Sequence, residues 1–96
     1  MNTSHHAVSE ATESLALAQE EFIRSETSRR IERRRAEHRI LEAHPKMPAG
    51  GRELLLETDP QVLAADTRHI EAVKAKTRAF GKLEVAKLAA WGEIRR

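Results

Sequence analysis

The chain has 96 residues, a formal net charge of +2 and no cysteine. A chain this short forms at most one domain with a modest core, and without cysteine it has neither disulfides nor thiolate metal sites. A third of the residues are charged and only Phe22, Phe80 and Trp91 are aromatic. This composition is typical of long helices with narrow apolar stripes, and it disfavours a sheet.

The location of the protein is predicted from what the sequence lacks. Its uncharged runs are too short to span a bilayer, and the first twenty residues have no basic start followed by an apolar stretch. We therefore expect a cytoplasmic protein, or one held within an assembled particle, and no membrane partner.

Charge is distributed unevenly along the chain. Residues 1–23 carry four glutamates and no Lys or Arg, residues 24–39 have a net charge of +4, and residues 40–96 have a net charge of +2. The chain is thus polarised along its first predicted helix rather than basic throughout.

The first predicted element is a helix from about residue 4 to residue 43. This stretch contains no Gly or Pro and is rich in Ala, Glu, Arg and Leu. Pro45 ends it, because the residue before a proline avoids the α conformation. An apolar stripe with alternating spacings of three and four predicts a coiled-coil-like contact. The stripe consists of Val8, Ala11, Leu15, Ala18 and Phe22 and continues through Ser25, Arg29 and Arg33 to Ala36 and Ile40.

A connector is predicted for residues 44–58. It contains Pro45, Pro48 and the pair Gly50-Gly51, which indicate turns. The apolar triplet at residues 54–56 is compatible with a short helical turn or with an extended segment, and the sequence does not decide between them.

The second long helix is predicted for about residues 60–95. Asp59 is the expected N-cap and Pro60 the first helical residue, although Thr58 with Gln61 offers a competing capping box. Gly81 marks a candidate break. The predicted buried stripe is Val62 or Leu63, Asp66, Ile70, Val73, Thr77 and Phe80.

The apolar side chains beyond Gly81 point in nearly every direction around the helix axis. Such a helix is buried on more than one side, which in a small protein requires cover from another chain. We therefore expect an oligomer or a docked subunit. The predicted protein interface comprises Val8, Leu15, Phe22, Leu83, Val85, Leu88, Trp91 and Ile94.

Together these elements predict an all-α fold: one antiparallel helical hairpin domain over residues 1–96. With the turn of the hairpin near residue 51, residues of the two helices whose numbers add up to about 103 should lie at the same height along the hairpin. Phe22 is then expected near Phe80. The charged residues on the two stripes then predict a structural ion pair of Asp66 with an arginine of the first helix. Arg33 is the first candidate partner and Arg39 the second.

No motif indicates catalysis. The chain has no cysteine nucleophile, no phosphate-binding glycine loop and no dinucleotide fingerprint. Its five histidines (His5, His6, His38, His44 and His69) lack the spacings of zinc-protease or di-iron sites. We expect no enzymatic activity, no cofactor and no metal.

The arginine-rich segment at residues 29–35 is the feature that suggests nucleic acid. Arg29, Arg30, Arg33 and Arg34 share one side of the helix and could contact several phosphates. Interleaved glutamates, and the lack of a nearby aromatic side chain to stack on bases, favour a solvated face with ion pairs.

The function that the sequence favours is a structural or assembly role, in which the protein oligomerises or docks on a larger complex, such as a virus or phage particle. The first alternative is a nucleic-acid-associated protein that contacts phosphates through the arginines. The second is a small inhibitor or adaptor of a host protein.

Overall fold

The computed structural model describes the backbone of residues 3–95 and the side chains of residues 5–93. It consists of α1 (Thr3–Ala43), α2 (Ala49–Glu57) and α3 (Pro60–Arg95), with no strand among the described residues. The predicted all-α class is confirmed, and both long helices lie where the sequence predicted them. The candidate break at Gly81 is wrong, because α3 continues through this residue.

The connector forms a helix of its own, α2, which settles the choice that the sequence left open. Gly50 and Gly51 lie at the start of α2 and do not form the predicted turn. A Cβ atom on Gly51 would lie 2.9 Å from Cγ of Met47. A glycine at this position therefore leaves room for the Met47 side chain to pack on α2.

The start of α3 is fixed by Asp59. Its Oδ1 accepts hydrogen bonds from the backbone N–H groups of Gln61 (3.0 Å) and Val62 (3.1 Å), as the predicted N-cap should. The Thr58 hydroxyl instead donates to the carbonyl of Leu54, 3.0 Å away at the end of α2. The competing capping box is therefore not formed.

Residues 23–71 form one of two compact units, which we call the connector unit. Ala36 of α1, Leu56 of α2 and Val62 of α3 are buried together, and Ile40 packs against them. Polar pairs join the same elements: Ser25 with His69 and Arg39 with Asp59. The later residue of α1, Arg39, thus pairs with the earlier of the two partners, Asp59, and Ser25 pairs with His69. The two segments therefore run in opposite directions in this unit.

The other unit contains residues 1–22 and 72–96, and we call it the terminal unit. Ala72, Ala79 and Leu83 of α3 are buried in it. The predicted α1 stripe supplies the other side of this packing, since its five members in the terminal unit are all half-buried: Val8, Ala11, Leu15, Ala18 and Phe22.

The buried face of α3 differs from the predicted one. Ala65, Ala72 and Ala79 are buried at intervals of seven residues, whereas Ile70, Val73 and Phe80 are exposed. Val62, one of the two predicted first members, is buried, but from Ala65 onward each of these buried alanines lies one position before the predicted residue. This offset rotates the helix by about 100° from the predicted orientation. Alanine at the contact lets two helix backbones approach closely, and this arrangement leaves the larger side chains outside.

Candidate protein-interaction surface

Five large apolar side chains of α3 are exposed in the terminal unit; Val85 lies apart from the other four, which we call the α3 apolar row. Val73 is 40% exposed, Phe80 56%, Leu88 70% and Trp91 57%. Val73 and Phe80 are about two helical turns apart, and Phe80 and Trp91 about three, so these three point in nearly the same direction. Leu88 lies beside them on the outer side of the helix.

The exposed aromatic residues are the most informative members of the row. The whole chain has three aromatic side chains, and two of them, Phe80 and Trp91, are more than half exposed on one helix. Single exposed apolar residues are ordinary, but a row that contains aromatic side chains is typical of a contact surface. The sequence placed Val73 and Phe80 in the core and missed this part of the row, whereas Leu88 and Trp91 were in the predicted interface.

The predicted interface residues fall into two groups. Leu83 is buried, and Val8, Leu15 and Phe22 are half-buried, so these four pack within the terminal unit. Val85, Leu88 and Trp91 are exposed and remain candidates for contact with a partner. The side chain of Ile94 lies outside the described residues.

Lys76, rather than the expected Phe80, lies over the ring of Phe22. The Nζ atom of Lys76 lies 4.2 Å from the centroid of the Phe22 ring, and Phe80 is exposed. Lys76 is four residues before Phe80, so the register of the two helices is shifted by about one turn from the predicted one.

The predicted pair of Asp66 with Arg33 is also replaced. Asp66 lies 4.0 Å from Nε of Arg29, and Arg33 lies 3.1 Å from Glu53 of α2. Arg39, the second predicted partner of Asp66, binds Asp59. The register of α1 against α3 differs from the predicted one because nine residues of the connector form α2. In addition, Glu53 of α2 supplies a carboxylate for Arg33 that the prediction did not include.

Most of the arginine cluster is engaged with carboxylates. Arg30 lies 2.9 Å from Glu26, and Arg35 lies 3.1 Å from Glu32. Arg29 and Arg33 are also paired, as described above. Of the four predicted phosphate contacts, Arg34 is therefore the one without an ion pair among the described residues. A phosphate would therefore have to compete with bound carboxylates at Arg29, Arg30 and Arg33.

A serine and a histidine are hydrogen-bonded in the connector unit, a pair that the sequence analysis did not foresee. The Ser25 hydroxyl lies 3.1 Å from Nδ1 of His69. Ser25 is fully buried, so its oxygen is closed to any substrate. The pair therefore joins α1 to α3 as a structural contact.

Among residues 5–93, no three His, Asp or Glu side chains group closely enough to hold a metal ion. No described helix combines the length and the apolarity needed to cross a bilayer. Comparison with protein-family models, curated proteins and solved structures gives no match for this chain.

Proposed function

We propose that this protein is a non-enzymatic assembly protein that docks on another protein through the α3 apolar row. The observation that carries the proposal is the exposure of Phe80 and Trp91 on one side of a single helix. Aromatic side chains supply much of the binding energy of protein interfaces, because they bury a large area at a small entropic cost.

The shape of the row suits a protein partner. Residues 73 and 91 are 18 positions apart, which corresponds to about 27 Å along the helix axis. A groove or another helix on a partner protein could cover a row of this length. Such cover would also remove from water the apolar surface that the isolated chain exposes.

The predicted architecture remains part of this proposal. In it, residues 1–96 form one antiparallel, coiled-coil-like hairpin that acts as a subunit of a larger particle or complex. A small adaptor or inhibitor of one host protein would use the same row. The number of copies in the complex separates these two roles, since an assembly subunit is present in several copies and an adaptor binds one partner molecule.

Site-specific photo-crosslinking in the cells that make the protein tests the proposal. A photoreactive phenylalanine analogue is placed at position 80 or 91, and a matched control carries it at Thr67, an exposed residue of α3 in the connector unit. We expect discrete protein adducts from positions 80 and 91 and none from position 67. Absence of adducts from the two row positions, with the protein folded and expressed, would contradict the proposal.

A further inference from the structure

A second surface lies in the terminal unit and does not use the α3 apolar row. It is an open groove of about 790 Å³ between α1 and α3. Small residues form much of its lining, including Ala7 and Ala11 of α1 and Gly81, Ala86 and Ala89 of α3. A Cβ atom on Gly81 would meet nothing within 4 Å, so there is free space above this residue.

The two sides of the groove carry opposite charges. Residues 1–22 contain four glutamates and no Lys or Arg, whereas residues 72–96 contain seven basic and two acidic side chains. Glu13 and Glu20 are exposed on α1, and Arg78 and Lys82 are exposed on α3. Glu10 on the α1 side and Lys82 on the α3 side line the groove itself, so its two sides are acidic and basic respectively.

Each helix also presents an exposed aliphatic side chain among its charges: Leu17 lies outside the lining of the groove and Val85 within it. Leu17, 66% exposed, stands four residues after Glu13 and three before Glu20, so the three are neighbours on the surface of α1. Val85, 68% exposed, stands three residues after Lys82 and lines the groove. Each surface thus has an apolar centre with charges beside it, the pattern of a helix–helix contact.

These features lie at matching levels. Phe22 and Lys76 are in contact, while residues 7–14 and 81–89 line the groove, so the helices run in opposite directions in this unit. Leu17 is five residues before Phe22, and Gly81 is five residues after Lys76. Because the helices are antiparallel, both residues lie about 7.5 Å from the Phe22–Lys76 contact in the same direction along the axis. Leu17 is therefore level with the free space above Gly81.

We propose that two copies of this chain pair through this groove, with α1 of each copy packing against α3 of the other. A two-fold axis parallel to the helices would make both contacts identical and keep these levels, so each acidic α1 surface meets a basic α3 surface. Leu17 of one copy fills the space above Gly81 of the other, Glu20 lies level with Arg78, and Lys82 lies within one helical turn of the level of Glu13. A second copy fits better than an unrelated protein, because one chain carries both of the complementary surfaces.

A charge-swap experiment tests this pairing. In one variant, Glu13→Lys and Glu20→Lys make these α1 positions basic, like Arg78 and Lys82. In the other, Arg78→Glu and Lys82→Glu make these α3 positions acidic, like Glu13 and Glu20. We expect the average mass of the wild-type chain to approach twice the single-chain mass as its concentration rises in analytical ultracentrifugation. Each variant alone stays at the single-chain mass because like charges face each other, and an equimolar mixture of the two recovers the doubled mass.

A second pair of variants tests the apolar centre and does not depend on charge. Gly81→Leu fills the space that Leu17 would occupy, and Leu17→Ala removes the side chain that fills it. We expect each to weaken self-association by at least about tenfold. Circular dichroism establishes that every variant is folded before its mass is compared.

Three outcomes would overturn the pairing: a wild-type chain that stays at the single-chain mass at about millimolar concentration, folded charge variants that each self-associate as the wild type does, or a mixture that fails to recover the doubled mass. Because these variants leave Phe80 and Trp91 unchanged, their failure does not affect photo-crosslinking from the α3 apolar row. Conversely, loss of the cross-links would leave the charge-swap result intact.

Discussion

Arg39 of α1 binds Asp59, the residue that caps α3. Nη1 of Arg39 lies 3.1 Å from Oδ2 of Asp59, and Nη2 donates to Oδ1 at 3.4 Å. The same carboxylate accepts the backbone hydrogen bonds of Gln61 and Val62. One nearly buried side chain therefore both starts α3 and joins it to the end of α1.

This arrangement predicts a dependence of stability on pH. The Arg39 hydrogen bond, followed by that from the Val62 N–H, lowers the pKa of Asp59 below its ordinary value of 3.8, and burial opposes the shift only in part. Because the folded state holds the ionised form, the stabilisation is complete well above pH 4. It is lost as the pH falls below the ordinary value and through the lower pKa of the folded state.

Asp59→Asn tests this prediction, since asparagine still caps a helix but carries no charge. We expect the variant to be less stable than the wild type at pH 7, and the difference in unfolding free energy to shrink below about pH 4. Urea denaturation from pH 7 to pH 2.5 measures it. A difference that stays constant over this range would show that the charge of Asp59 does not stabilise the fold.

A double-mutant cycle tests the observed partner of Asp66. The side chains of Asp66 and Arg29 are 42% and 47% exposed, so we expect a coupling of about 0.2–1 kcal/mol between Asp66→Asn and Arg29→Gln. The matched cycle of Asp66→Asn with Arg33→Gln should show about zero coupling. A larger coupling to Arg33 than to Arg29 would restore the register that the sequence suggested.

Replacing a buried alanine of α3 tests the close helix packing. Ala72 is 3% exposed, so Ala72→Leu should lower the free energy of unfolding by about 1–3 kcal/mol through overpacking. The control is Ala64→Leu at an exposed position of the same helix, for which we expect a change within about 0.5 kcal/mol. Equal effects of the two substitutions in urea denaturation would mean that Ala72 is not at a tight contact.

The arginine cluster is expected to bind nucleic acid weakly at most, because Arg29, Arg30 and Arg33 already lie near carboxylates. We predict no micromolar binding of duplex DNA at about 50 mM salt in a fluorescence anisotropy titration. Tighter binding would support the nucleic-acid alternative if two conditions hold. Log affinity must fall with log salt at a slope of about −3 to −4, as four phosphate contacts require, and replacement of the cluster must abolish binding.

Local signals in the sequence predicted the helices well. A long stretch without Gly or Pro indicated α1, and Asp59 followed by Pro60 indicated the start of α3. Each of these signals acts through the backbone of a few neighbouring residues, so it needs no knowledge of distant contacts.

The buried face of α3 was harder to predict, because hydrophobicity ranks Ile70, Val73 and Phe80 above alanine. The available signal was the repeat of Ala65, Ala72, Ala79 and Ala86 at intervals of seven residues, which indicates a close helix contact. The register could not be predicted either, since it depends on how α2 folds within the connector. The interaction surface follows directly from the choice of buried face, and it was therefore missed in part.

If another protein covers the α3 apolar row, as we propose, the native size of the protein should reveal it. Tagged protein is recovered gently from the cells that make it and measured by size-exclusion chromatography with light scattering. We predict that the wild type elutes within a complex that contains other proteins, and that a variant with Phe80→Ser and Trp91→Ser elutes free. The control Leu54→Ser changes a similarly exposed residue of α2 and should leave the complex intact. A wild-type protein that elutes free of other proteins would contradict the claim.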